Sequence, residues 1–365
     1  MKNTKRILSI ALAALLLVGT LAGCSMPKLT LGGTGNVAAT VAGKDIPTGE
    51  YLAYLYNNFY NMYFGQGLYQ YAQYYDVWDQ SFTYGEGDDA QSVKLDEYIT
   101  LLTKECIVRQ EALTQLMEKY NVKWNEEDAK KVEEDLASLT EDSYLSLGFS
   151  NEHFITAYKA LNLNESSLFY GLYGEGGQRE MNEEARRTYF NENYLSYKSI
   201  SIDLTGEDGE ELDEAGKKAV LDQLNGYLAT YNTNKNFEAI VDAYNKSIAA
   251  EGEEVTPSTD EGNRVNMDFG ANADDPLALK VKDSVTVGQA SVVEYTTANA
   301  TPAAALVLRL DINEPATLFT DETKNIIYNA KYEEYDKEVR ELADSLEASF
   351  NKSVIGKCSS KKFVE

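Results

Sequence analysis

His153 is the only histidine in 365 residues, and Cys24, Cys106 and Cys358 are the only cysteines. A lone imidazole cannot build a multi-histidine metal site and leaves little room for a histidine-based triad. The acidic stretch Glu251 to Glu261 offers carboxylates without the one-three-five spacing and terminal glutamate of a calcium loop, so it reads as a solvated loop and neither metal nor cofactor is expected. Cys24 closes an apolar run and can serve as a nucleophile there. Cys106 falls on an apolar helical face, as a small buried hydrophobe does, while a bridge between Cys106 and Cys358 stays open. What remains is aromatic. The chain has 26 tyrosines, and Tyr56, Tyr60 and Tyr63 recur three or four residues apart, placing apolar rings with polar tips on one helix face.

Charge narrows the partners. Lys and Arg number 33 against 59 Asp and Glu, a formal charge of -26, which excludes a phosphate-backbone partner because nucleic-acid binding is driven by cationic side chains. Hydrophobic residues make up 43%, too many for a disordered polyelectrolyte, and the length predicts two domains. Lys2, Lys5 and Arg6 precede about 16 mostly apolar residues, Ile7 to Ala22, shorter than the about 20 residues a membrane span requires and suited to export. The run ends Leu21-Ala22-Gly23-Cys24, which resembles a bacterial lipobox. That resemblance implies a signal peptide over residues 1–23, a lipid on Cys24, and a body tethered to the outer face of the cell membrane. Cleavage would remove three cations, bringing the formal charge from -26 to about -29. Residues 24–36, with Pro27 and a Gly-Gly-Thr-Gly stretch, read as a flexible tether.

The elements that must position these residues follow from periodicity and capping. VAATVAGKDI, residues 37–46, predicts a strand, a Gly-Lys-Asp turn and a return, with Thr48 capping a helix to about Phe64. Gly65 to Gln91 reads as loop or irregular insertion. A long helix is expected from about Val93 to Tyr120, and further helix starts at Asn125, Ser150, Asn164 and Asn182. At Tyr197 the period changes to two. A strand, helices near 210–231 and 236–245, a short ordered stretch at 277–282 and strands near 291–295 and 304–311 describe a small α+β domain. A charged helix, about 321–350, closes the chain.

This order resembles the bacterial foldase lipoproteins of the PrsA and SurA type over almost all of the mature chain. The resemblance is carried by the opening VAATVAGKDIPTGEYL, with Ala42 where asparagine is usual, by the helix ending ALTQLMEKYNV, and by Arg179 to Asn193, similar to the family's linker helix. It implies a mainly helical chaperone domain, 37–194 plus 316–365, interrupted by a parvulin-like α+β domain at 195–315. Parvulins catalyse rotation about X-Pro bonds, using two histidines, a Cys or Asp and an apolar proline pocket. Matched onto this sequence, the histidine positions fall on Ser201 and Leu306, the Cys or Asp on about Ser247, and two pocket positions on Asp274 and Ala278, while the turn Val287 to Ser291 is retained. Serine cannot reproduce an imidazole pair and leucine has no polar group.

The expected function is therefore an extracytoplasmic, lipid-anchored chaperone that binds unfolded exported polypeptides, through Tyr56, Tyr60, Tyr63 and the tyrosine-rich stretch 69–75, with isomerase chemistry lost. An active prolyl isomerase with an altered site and a non-enzymatic surface-interaction lipoprotein are the alternatives.

Overall fold

The computed structural model describes residues 36–85, 87, 90–139, 150–206, 209–250, 253–269 and 274–364. The expected signal, Cys24 and the tether before Asn36 lie outside the described residues. The principal elements are β1 (Val37–Val41), β2 (Lys44–Pro47), α1 (Thr48–Tyr60), β3 (Ser81–Tyr84), β4 (Gln91–Lys94), α2 (Leu95–Lys119), α3 (Glu126–Ser138), α4 (Asn151–Tyr173), α5 (Glu183–Asn193), β5 (Tyr194–Asp203), α6 (Glu214–Asn234), α7 (Phe237–Ile248), β6 (Val265–Asp268), α8 (Pro276–Ser284), β7 (Ala290–Thr296), β8 (Pro302–Leu310), α9 (Thr323–Ser345) and β9 (Ala348–Phe350). The protein is α+β and mainly helical. It divides into a unit ending at Glu180 and resuming at Glu333, and a second unit, Met181–Tyr332. Among the described residues no helix is long and apolar enough to cross a membrane.

In the first unit β1 and β2 form a hairpin whose two-residue turn is Ala42-Gly43, with φ of 50° and 81°. A two-residue turn that matches the strand twist needs positive φ at both positions, which glycine adopts freely and alanine only under strain. The turn thus precedes the Gly-Lys-Asp position expected, and Lys44 and Asp45 already pair with Val41 and Thr40. On the other edge of β1, β9 pairs antiparallel, with Ala39 opposite Phe350 and Val41 opposite Ala348, so N- and C-terminal segments share one sheet. Beneath it Tyr51, Leu52, Leu55 and Phe59 of α1 pack with Leu95, Ile99 and Ile107 of α2, Ala157 of α4 and Phe363. Thr48 does not cap α1; its hydroxyl donates to the Asn36 carbonyl at 2.7 Å. Asn125 and Ser150 do cap, accepting from backbone N–H groups of the first turns of α3 and α4. Asn164 opens no helix: α4 is continuous through it, and its amide is used inside the unit instead.

His153 lies on α4 with its ring against the backbone of Gly49, in the first turn of α1. An added β-carbon at Gly49 would stand 2.1 Å from Nδ1 and 2.9 Å from Cγ of that ring. Nδ1 is itself buried without a hydrogen-bond partner, so the imidazole contributes packing here. Gly49→Ala is expected to destabilise the protein by about 1–3 kcal/mol, the usual range for overpacking, and His153→Ala in the same chain to recover most of that loss in urea unfolding. An alanine tolerated alone would mean that the two helices separate at little cost.

The second unit is built on a four-stranded antiparallel sheet of order β6-β5-β8-β7. Ile200, Leu306 and Leu308 face α6 and α7, forming one core with Leu224, Tyr231, Phe237 and Ile240. Tyr197, Val293, Ala305 and Val307 face the other way, onto Ala278 and Val281 of α8. Covered on both faces, β8 reads as the nearly unbroken apolar run PAAALVLRL. Lys198, only 3% exposed on β5, is held between the carboxylates of Glu238 and Asp260. Phe190 of α5 packs on Tyr194 and Phe319, grouping that helix with the sheet.

Candidate functional site

The first unit contains a cleft of about 660 Å³ lined by residues of β2, α1, α2 and α4. Helical spacing assembles it. Glu50 and Tyr54 lie one turn apart on α1; Ile107, Gln110, Glu111, Thr114, Met117 and Glu118 recur every three or four residues along α2; Ile155, Lys159 and Asn164 line the α4 wall. Trp124, 40% exposed, stands at the rim. Its Nε1 donates to Asn164 Oδ1 at 2.8 Å, and Asn164 Nδ2 donates to Gln110 Oε1 at 3.0 Å, so a buried amide chain fixes the indole against the cleft. Gly171 lets the α4 backbone approach Val122, whose Cγ1 would lie 2.6 Å from an added β-carbon.

The cleft's electrostatics are uneven. Lys44 Nζ reaches Glu111 Oε2 at 3.4 Å, and Lys159 reaches Glu133 at 3.2 Å. Burial raises the Glu50 carboxyl above its ordinary value; Lys44 pulls it down and Glu111 pushes it further up. Apolar walls with a few polar groups at fixed places are what a site for a flexible organic ligand or peptide requires. This row on α2 is not among the residues that helical spacing alone singles out. Its signal was present as a mixed polar and apolar stripe, Ile107 to Glu118, beside the apolar stripe that fills the core.

The tyrosine stripe is only in part a surface. Tyr63 is 9% exposed and stacks on Phe59 and Trp78 at 5.3 and 5.8 Å, while Tyr56 packs edge-on against Phe363 at 5.2 Å. Burial pushes the Tyr56 hydroxyl up to about 12. Tyr60 is half-buried beside Tyr56 and Phe64. Exposure of all three fails because the C-terminal Phe363 and Trp78 cover the same face of α1. The exposed rings are Tyr69, Tyr71, Tyr74 and Tyr75, with Tyr74 at 77%.

The positions matched to a parvulin site do not converge. Ser201 is exposed and pairs with Ala305; Leu306 is fully buried and pairs with Ile200, so the two side chains leave opposite faces of the sheet. Ser247 lies exposed near the end of α7, donating to the Tyr244 carbonyl at 2.6 Å. Asp274 is exposed, and Ala278 is buried in the core beneath α8. Cys106 and Cys358 are free thiols, and burial pushes them up to about 12 and about 11, leaving no thiolate for neutral-pH chemistry. Among the described residues no group of three or more His, Cys, Asp or Glu side chains is arranged to hold a metal ion.

No family model and no curated protein matches the chain. Among solved structures it is similar to the foldase protein PrsA from Streptococcus pneumoniae, with 14% identity and a TM-score of 0.27, over 78% of this chain and 93% of that one.

Proposed function

We propose that the protein is an extracytoplasmic chaperone, anchored to the outer face of the cell membrane through a lipid on Cys24, that holds unfolded exported polypeptides in the cleft of its helical unit. The observation that carries the reading is that cleft, open, walled by Ile107, Met117, Ile155 and Trp124, and interrupted by carboxylates and amides. Such a wall accepts many apolar side chains without demanding one sequence. The exposed tyrosines 69–75 offer a second, shallower contact surface. The sheet unit serves as a spacer or client-contact module without isomerase chemistry, a reading supported by the divergence of Ser201, Ser247 and Leu306.

The test uses the full-length chain with a chemically unfolded, aggregation-prone client. Light scattering by the client should fall in the presence of the protein, and Trp124→Ala should weaken that protection several-fold. X-Pro isomerisation in a short peptide should proceed at close to its uncatalysed rate, tens of seconds or longer. Isomerisation that is accelerated, and slowed again by Ser201→Ala, would replace this reading with that of a rebuilt isomerase. Absence of both activities would favour a surface-interaction lipoprotein.

A further inference from the structure

We infer that the cleft selects by charge, taking unfolded segments in which a lysine or arginine is flanked by large apolar residues. The inference rests on the client-binding reading above and deepens it. Five charged side chains line the cleft: Lys44, Glu50, Glu111, Glu118 and Lys159. The two lysines are already engaged, Lys44 by Glu111 at 3.4 Å and Lys159 by Glu133 at 3.2 Å. Among the described residues neither Glu50 nor Glu118 forms an ion pair, and Lys44, held by Glu111, only partly offsets the charge of Glu50. Glu50 is half-buried on α1, one turn from the buried Tyr54, and Glu118 is exposed on the last turn of α2.

A carboxylate that has lost part of its hydration is costly until a cation approaches, and the attraction is stronger in a partly dry cleft than at an open surface. A lysine or arginine can lay its aliphatic stem along Ile107 and Met117 while its charged head remains with the carboxylates. An aspartate or glutamate in the same place would face Glu50 and Glu118 as like charges, and a neutral residue would leave the half-buried Glu50 with only the partial offset that Lys44 supplies. Discrimination therefore comes from attraction and repulsion together. The formal charge of -26 acts in the same direction at long range, but it does not distinguish one place on a client from another.

Three fluorescently labelled apolar peptides, differing only in a central lysine, glutamine or glutamate, test this by anisotropy with the full-length chain at physiological salt. The lysine peptide should bind tightest and the glutamate peptide weakest, with the lysine peptide ahead of the glutamine peptide by about tenfold, or about 1.4 kcal/mol. Glu50→Gln, nearly isosteric, should bring that ratio towards one, while Asp344→Asn, an exposed carboxylate on α9 that does not line the cleft, should leave the preference in place. Thermal unfolding of both variants separates loss of fold from loss of charge. Equal binding of the lysine and glutamine peptides, with both weakened by Trp124→Ala, would overturn charge selection and leave the client-binding cleft standing. A preference for lysine that persists in Glu50→Gln and Glu118→Gln would overturn it as well, assigning the effect to net charge. Binding of none of the three would overturn the client-binding reading and this inference with it.

Discussion

Phe363→Ala, a change of one residue close to the C-terminus, should destabilise the helical unit by about 3–5 kcal/mol, the range for truncating a buried aromatic ring. Phe363 is 2% exposed, and its ring centroid lies 5.2 Å from those of both Tyr56 and Phe59. Phe59 in turn stacks on Tyr63 and, at 6.4 Å, on Trp78, so the cavity opens in the middle of an aromatic cluster with little room to collapse. The same tail is pinned by polar contacts. Asp96, in the first turn of α2, accepts from Ser360 N and Oγ at 2.7 and 2.6 Å and from Ser359 Oγ at 3.0 Å. Urea unfolding followed by near-ultraviolet circular dichroism reads the loss, and Val364→Ala, at an exposed neighbour, should stay within about 0.5 kcal/mol of the parent. A loss below about 1 kcal/mol for Phe363→Ala would mean that the tail merely rests on the core.

That cluster also marks where sequence reasoning stops. The stripe of Tyr56, Tyr60 and Tyr63 was legible because i, i+3 and i+4 spacing fixes which side chains share a helix face. Which element covers the face is not a local property. Phe363 and Trp78 carry no periodic signal, and the burial of Tyr63 follows from them. Capping behaved in the same way. Asn125, Ser150, Asn182 and Asn236 were readable as helix starts because the side-chain oxygen bonds N–H groups two or three residues on. Asn164 has the same chemistry, but its amide is spent on Gln110 and Trp124, and α4 runs through it.

Strands divide along the same line. β5 is legible through its alternation and β8 is a nearly continuous apolar run, and with β7 they are enough to give the α+β class. The three residues of β9 have no pattern of their own; they are extended because β1 offers an unpaired edge. β3 and β4 are separated by a glycine- and aspartate-rich stretch, so the whole segment reads as loop, although Ser81 to Tyr84 pair in register with Lys94 to Gln91. Of the candidate parvulin positions only Ser201 and Leu306 lie on strands, β5 and β8, and a match to a motif leaves the sheet face undetermined. Ser201 lies opposite Ala305 and Leu306 opposite Ile200, one register position apart, and successive positions of a strand leave opposite faces of the sheet.

Glu338→Gln should cost about 1–2 kcal/mol at neutral pH, and the cost should vanish in acid. On α9, Glu338 accepts from Arg179 Nη1 at 2.7 Å, from Lys119 Nζ at 3.2 Å and from the Tyr120 hydroxyl at 2.5 Å. Arg179 Nη2 also donates to the Tyr120 hydroxyl at 2.6 Å, closing the network. Burial alone would raise this carboxyl, but the hydrogen bonds from Arg179, Tyr120 and Lys119 outweigh it and hold the group at about 2 against an ordinary 4.5. Full conversion of such a shift would approach about 3 kcal/mol, and partial solvent screening reduces it. Because the folded-state value lies below the unfolded one, the stabilisation is complete above about 4.5 and is lost as the pH falls towards 2. Other carboxylates titrate over the same interval, so the informative quantity is the difference between parent and variant at each pH. That difference should be constant from neutral pH to about 5 and then shrink to near zero at about 2. Arg179→Met should reproduce it, and the double variant should lose less than the sum of the two, because both remove the same pair. A parent-to-variant difference that stays constant down to about pH 2 would show that Glu338 acts by packing, and that the charge network between α9 and the end of α2 contributes nothing to stability.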